Sequence, residues 1–146
     1  MASYSFLNIS ASLAGIGGVI DLGYGAEIAS EGITISMNQD KNSMMIGADG
    51  AVVHSLHAGK SGTVSVKLLK TSPANNKLSV MYNLQTQSST THGNNVIYIR
   101  NSGGNDVCVC REVAFKKHAD LVYAEEADIV EWIFDAGKVD IVLGTY

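Results

Sequence analysis

One segment has the residue types of a phosphate-binding loop. Gly59-Lys60-Ser61 has the form of the end of the loop in which backbone amides and a lysine hold nucleotide phosphates. Such a loop also needs a glycine five residues before Gly59 and a helix directly after the serine. His54 stands where that glycine would be, and Gly62 begins an alternating pattern typical of a strand. The sequence therefore predicts a bend between two strands here and argues against a nucleotide site.

The histidines and cysteines do not form a pattern typical of a metal site. His54 and His57 are three residues apart, but no third ligand is near them in sequence, and structural zinc sites use four ligands. Cys108 and Cys110 are two residues apart, so in a strand both would point to one face, in poor geometry for a disulfide. We expect free thiols in a reducing compartment, with no metal and no cofactor.

A cluster of carboxylates near the C-terminus is the remaining candidate for catalysis. Glu125, Glu126, Asp128 and Glu131 could supply a general acid and base, although a solvated acidic edge is the simpler interpretation. The chain has no Gly-x-Ser-x-Gly turn that would present a nucleophilic serine. We therefore expect a protein that is not an enzyme and has no catalytic residues.

Length and composition favour a single domain, residues 1–146, with a well-developed core. Hydrophobic residues make up 46% of the chain and charged residues 16%, as in a globular protein. The net charge of −4 gives no electrostatic reason for DNA or RNA binding. The N-terminus lacks the basic and apolar regions of a signal peptide, and no apolar run could span a bilayer, so we expect no membrane anchor.

Period-two alternation predicts most of the chain to be strands. Residues 33–38 alternate apolar and polar side chains, and in residues 62–71 Val64, Val66 and Leu68 share one face. Ser72 is a good N-cap and Pro73 suits the first helical position, so one helix is expected at about 73–87. Further strands are predicted at 4–13, 19–22, 96–100, 107–113, 130–136 and 139–143.

Between the two clearest strands lies a segment that does not look like core. Residues 40–57, which we name the arm, contain polar turn residues around the apolar run Met44, Met45 and Ile46. Asp49-Gly50 is a strong signal for a tight turn. We expect a long projecting hairpin, and adaptable methionines on such a hairpin suit contacts between proteins.

These elements together predict a mainly β fold, a β-sandwich or partly closed barrel with one flanking α-helix. Seven segments carry a further signal: Ser3–Asn8, Asp40–Asn42, Leu56–Pro73, Gly93–Val96, Val113–Lys117, Trp132–Ala136 and Val142–Tyr146. Together they resemble a known family, the tail tube proteins of contractile-tailed bacteriophages. The resemblance covers nearly the whole chain, with the Cys108-Val109-Cys110 departure expected in a variable loop.

The resemblance implies a subunit that assembles into hexameric rings, which stack into a tube inside a contractile sheath. The sheets of the subunits would join into a barrel that lines the lumen, and phage DNA would pass through without specific binding. Besides other copies of itself, its partners would be the sheath, baseplate and tail terminator proteins. Such a protein would be a virion tail component that is assembled in the cytoplasm of the bacterial host.

Two sets of residues are candidates for these roles. Candidates for contacts between subunits or rings are Asp40, Lys41, Asn42, Met44, Met45, Ile46, His54 and His57. Candidates for the lumen lining are Thr34, Ser36, Asn38, Thr63, Ser65 and Lys67.

Two alternatives from other functional classes remain open at this point. One is a β-sandwich module that binds a ligand or receptor, for which exposed aromatic side chains would be the marker. Only 7% of the residues are aromatic, and Trp132 lies in a core pattern. The other is a hydrolase that uses the acidic cluster.

Overall fold

The computed structural model describes residues 2–146, so Met1 lies outside the described part of the predicted domain. A short 3₁₀ turn at Phe6–Asn8 precedes the first strand. The regular elements, in chain order, are β1 (Ile9–Gly15), β2 (Gly18–Asp21), β3 (Ile28–Met37), β4 (Asn42–Ile46), β5 (Val52–Leu56), β6 (Gly62–Leu68), α1 (Pro73–Gln85), β7 (Asn95–Asn101), β8 (Asp106–Phe115) and β9 (Val130–Val142).

Seven of the strands form one antiparallel sheet in the order β2-β1-β7-β8-β9-β6-β3, curled into a half barrel. Strands β4 and β5 form a separate two-stranded ribbon. The predicted mainly β fold with one helix is confirmed. Of its two forms, the partly closed barrel describes the molecule, because one sheet curls around the core. Strands β2 and β3 are the two edges of this sheet.

The helix begins where the sequence predicts it. The Ser72 hydroxyl accepts a hydrogen bond from the Ala74 amide at 3.3 Å, and Pro73 occupies the first turn, where no amide donor is needed. The helix ends at Gln85, two residues before the predicted end, and the Thr86 amide bonds to the Tyr82 carbonyl as its C-cap. Its buried side chains, Ala74 and Leu78 among them, pack on the sheet.

The core lies between α1 and one face of the sheet. Val64, Val66 and Leu68 on β6 are fully buried, and so are Trp132 and Phe134 on β9, as the alternation predicts. The Trp132 indole donates a hydrogen bond to Asn75 Oδ1 of α1 at 3.1 Å. This contact fixes the helix across the neighbouring strands β6 and β9.

A buried amide pair, which no sequence pattern indicates, supports the other end of the helix. Gln85 and Asn95 exchange two hydrogen bonds of 2.7 Å, and Gln85 also donates to the Ile16 carbonyl at 2.8 Å. Both side chains are almost fully buried, so each needs the other as a partner. Gly15 is required beside them, since a Cβ there would overlap the Asn95 amide.

Two predicted strand boundaries were wrong. The first strand begins at Ile9 and not at Tyr4, because the Ser5 hydroxyl accepts from the Leu7 amide and stabilises the 3₁₀ turn. The predicted strands 130–136 and 139–143 are one continuous strand, β9. Its alternation breaks between the buried residues Ala136 and Val139, opposite an irregularity in β8.

The placement of the cysteines in a variable loop was also wrong. Cys108 and Cys110 lie in the middle of β8, buried on the core face, with their sulfur atoms 3.7 Å apart. Both thiols are free. The hydrogen bond with Cys108, together with burial, raises the pKa of the Cys110 thiol, which keeps this sulfur protonated.

The C-terminal residues are held against the turn between β7 and β8. The Asp106 carboxylate accepts hydrogen bonds from the Tyr146 hydroxyl and the Gly144 amide, and Asn101 donates to the same hydroxyl. The Tyr146 hydrogen bond, and then the one from Gly144, hold the pKa of Asp106 below its ordinary value of 3.8. A lowered pKa means that the ionised carboxylate stabilises the fold above pH 3.8, and that this effect is lost as the pH falls through the lowered value.

Asp106→Asn is therefore expected to lower the melting temperature at neutral pH and to do so less and less below about pH 4. Melting curves of the two proteins at pH 2 to 7 measure this difference. Tyr146→Phe removes the same hydrogen bond from its other end. The difference in melting temperature between this variant and the unsubstituted protein should therefore also shrink in acid. A difference that stays constant across the whole pH range would contradict the assignment.

Candidate assembly surfaces

The arm is a hairpin that extends from strands β3 and β6. Strands β4 and β5 pair from Asn42 opposite Leu56 to Ile46 opposite Val52. A tight turn closes it, with the Gly50 amide bonded to the Gly47 carbonyl at 3.0 Å. The predicted projecting hairpin with its turn at Asp49-Gly50 is thus present.

The arm contributes no side chain to the core of its own chain. Every residue of β4 and β5 is exposed, with Met45 at 71% and Leu56 at 84% of full residue exposure. The cross-strand register places Met44, Ile46 and Leu56 on one face and Met45 on the other. A two-stranded ribbon is marginally stable alone, and contiguous exposed apolar side chains mark interaction sites. The arm has the composition of a surface that is covered by another molecule.

The polar candidates for subunit contacts hold the arm together. The Lys41 ammonium donates to the carbonyls of His57 and Gly59, at 2.8 and 3.0 Å, and ties the base of the hairpin. Asn42 and His54 are hydrogen-bonded across the strands at 3.3 Å, while Asp40 is exposed just before β4. His57 bonds to Ser43 at 3.2 Å. Among residues 2–146 no cluster of three or more histidine, cysteine or carboxylate side chains could hold a metal ion.

The candidates for the lumen lining come together on one face of the sheet, which we name the polar face. Thr34 lies opposite Ser65 and Ser36 opposite Thr63, with the buried side chains of β6 pointing the other way. Asn38 follows the end of β3 and accepts a hydrogen bond from the Thr63 hydroxyl at 2.9 Å, so it joins the same row. Lys67, two residues beyond Ser65, also lies on this face.

The polar face continues across β9 and β8 with ion pairs. Lys67 is 3.8 Å from Glu131 on β9. Asp140 accepts from both Lys60, at 3.0 Å, and Arg111, at 2.9 Å, and the hydrogen bond and charge of Lys60 are the main causes that lower the pKa of Asp140. Lys138 lies 3.8 Å from Glu112 at the margin of this face. All these side chains are solvent-exposed, so the pairs set local charge and add little to stability.

Lys60 therefore does not resemble a nucleotide-binding lysine in its role. It lies in the connection between β5 and β6, its ammonium pairs with Asp140, and strand β6 comes next where a helix would be needed. The predicted position between two strands is confirmed.

The carboxylates that could have formed an acid–base pair lie on the surface of the molecule. Glu125, Glu126 and Asp128 are exposed in the irregular connection between β8 and β9. Glu131 lies on β9 and pairs with Lys67.

An apolar groove of about 470 Å³ lies at the end of the core that α1 does not cover. Ile33 and Ile35 of β3 form one wall, and Ile9 of β1 and Ile99 of β7 form the other. The alternation of β3 gave the inward direction of its isoleucines, but sequence reasoning missed that β1 and β7 face them. Of the helices in residues 2–146, none has the length and apolar character needed to cross a membrane.

Comparisons with known proteins agree with a tube-building protein. A family model described as the bacteriophage PhiTE tail tube protein matches residues 1–144. No curated protein sequence matches the chain. The cryo-EM structure of the anti-feeding prophage cap, a tube-terminating cap, is similar with a TM-score of 0.59 and 11% identity, over 99% of this chain and 95% of that one. At this low identity the likeness shows a shared fold. The family match confirms the resemblance inferred from the sequence, and the chain belongs to the bacteriophage PhiTE tail tube protein family.

Proposed function

We propose that this chain, as a single tail-tube domain of residues 1–146, is the repeating subunit of an inner tail tube. In this proposal six copies form a ring, and rings stack into a hollow tube inside a contractile sheath. Phage DNA passes through the lumen during infection. Membership in the family makes the chain a structural component of a phage tail. The observation that supports self-assembly most strongly is the arm, because its apolar side chains are exposed in the isolated chain.

The arm is proposed to contact a neighbouring subunit or ring. Its hydrogen-bonded base, at Lys41, keeps the hairpin extended away from its own sheet. Burial of Met44, Ile46 and Leu56 on one face of the ribbon, and of Met45 on the other, against other copies would remove these exposed apolar side chains from water. The open apolar groove beside β3 is a second surface of the same chemistry, and we assign it to the same assembly.

The sheet edges are proposed to join the subunits of a ring, and the polar face is proposed to line the lumen. Strands β2 and β3 are the edges of the sheet, and pairing an edge of one copy with an edge of the next would remove exposed edges and continue the barrel around the ring. The polar face then lines a wet lumen, while the core and α1 lie on the other side of the sheet. Sheath, baseplate and tail terminator proteins are the expected partners, with assembly in the host cytoplasm.

The tail tube family indicates a structural and not an enzymatic role. The family match does not favour the alternative of a ligand-binding module. The sole tryptophan, Trp132, is only 1% exposed, and the exposed aromatic side chains are the tyrosines Tyr4, Tyr24, Tyr98, Tyr123 and Tyr146. No cofactor is part of the proposal.

Purification of the chain followed by sedimentation velocity and negative-stain electron microscopy tests the proposal. We expect tubes or rings with an open channel and sixfold end views. A protein that remains monomeric at all concentrations and salt conditions would contradict it.

A further inference from the structure

The negative charge of the chain is not located on the polar face. Strands β6, β8 and β9, with the turn before β6, present four basic side chains and four carboxylates there. The chain has ten basic and fourteen acidic residues in total, so its surplus of four acidic residues lies elsewhere. The eight charged residues are Lys60, Lys67, Arg111 and Lys138 with Glu112, Glu131, Asp135 and Asp140.

Each of these basic side chains has a carboxylate beside it. Asp140 lies 3.0 Å from Lys60 and 2.9 Å from Arg111, and the other two pairs are 3.8 Å apart. Three of the four pairings bridge neighbouring strands: Lys67 on β6 with Glu131 on β9, and Arg111 and Glu112 on β8 with Asp140 and Lys138 on β9. On these three strands, therefore, long cationic side chains are present without a local excess of positive charge.

We propose that Glu112, Glu131 and Asp140 are the residues that keep the polar face from binding DNA. This inference rests on the proposed function, in which DNA moves past this face. Sequence reasoning ascribed the lack of DNA affinity to the net charge of the whole chain. The structure assigns it to carboxylates that neutralise specific lysines and arginines at the place where phosphates would pass.

The reason for this assignment is the way in which proteins gain affinity for DNA. A protein gains most of its non-specific affinity for DNA when basic side chains replace the counterions around phosphates. A lysine already neutralised by a carboxylate releases few counterions, and its partner repels the approaching phosphate. If the carboxylates are removed, the four basic side chains on adjacent strands become free to contact phosphates. The summed charge of these eight positions changes from zero to +3, because Asp135 is the one carboxylate of the four that remains.

Two triple variants distinguish the effect of local ion pairs on DNA binding from the effect of net charge. The test variant is Glu112→Gln, Glu131→Gln and Asp140→Asn. The matched control is Glu125→Gln, Glu126→Gln and Asp128→Asn, which changes the net charge by the same +3 in the exposed connection before β9. Each is made in the full chain with and without the arm substitutions described below, so that the face is also accessible in monomers. Circular dichroism and melting curves establish that both variants are folded.

Binding of a fluorescent 20-base-pair DNA duplex is followed by anisotropy at 50 and 200 mM salt. We expect no binding by the unsubstituted chain or by the control. The test variant should bind the duplex, and its affinity should fall about fiftyfold between the two salt concentrations. The reason is that three to four phosphate contacts give a slope near −3 for the logarithm of affinity against the logarithm of salt concentration. Equal binding by the control, or no binding by a folded test variant, would overturn the proposal. Failure of the tube proposal would show separately, as a parent chain that never assembles.

Discussion

Replacement of Met44, Met45 and Ile46 by aspartate is expected to abolish tube formation and to leave a folded monomer. The three side chains are exposed in the isolated chain, so burial in an assembly would contribute roughly 1.5–3 kcal/mol for each. Carboxylates at these positions, two on one face of the ribbon and one on the other, would lose that contribution and would also have to be desolvated without partners. The loss is repeated at every contact between subunits, so we expect polymerisation to be abolished completely. Sedimentation velocity and electron microscopy measure it.

The fold itself should tolerate these substitutions, because no residue of β4 or β5 is buried. A matched control places aspartate at Gln87, Ser89 and His92, which are exposed in the connection between α1 and β7. This control has the same change in charge and should still form tubes. Normal tubes from the arm variant would contradict the role assigned to the arm.

Trp132→Ala is expected to cause the largest loss of stability of any single substitution in the core. The indole is 1% exposed, lies 6.0 Å from the Phe115 ring and 4.9 Å from the His118 ring, and donates a hydrogen bond to Asn75. Removing a buried tryptophan typically costs about 3–5 kcal/mol, which for a chain of this size lowers the melting temperature by roughly 10 °C. Thermal unfolding of the monomeric arm variant measures this loss without a contribution from assembly.

A position on the opposite face of the same strand provides the control. Asp135 is exposed on the opposite face of β9, and Asp135→Ala should change the melting temperature by little. Equal effects of the two substitutions would show that Trp132 does not have the central packing role described here.

The parts of the fold that the sequence predicted correctly are those that local patterns determine. Alternation in β6 indicated its buried face, and Ser72-Pro73 indicated the start of α1, because a capping side chain and a proline act within a few residues. The arm was predictable because its apolar residues flank a tight-turn signal without the regular pattern of a core strand. The predicted residues of the polar face lie together for the same reason, since β3 and β6 alternate in register.

The remaining features depend on residues that are distant in the sequence. Gln85 and Asn95 look like ordinary polar residues until the fold buries them side by side. Lys60 and Asp140 are eighty residues apart and meet only because β9 lies between β6 and β8. The groove needs β3 to face β1 and β7 across the open end of the curled sheet. The periodic patterns of single segments do not indicate these contacts between distant residues.

A cryo-EM reconstruction of the assembled tube tests the proposed function most directly. We predict that Thr34, Thr63 and Lys67 line the channel, that α1 lies on the outside, and that the arm contacts a neighbouring copy. A tube with α1 facing the channel and the polar face outside, or an arm that touches no other copy, would contradict the proposal.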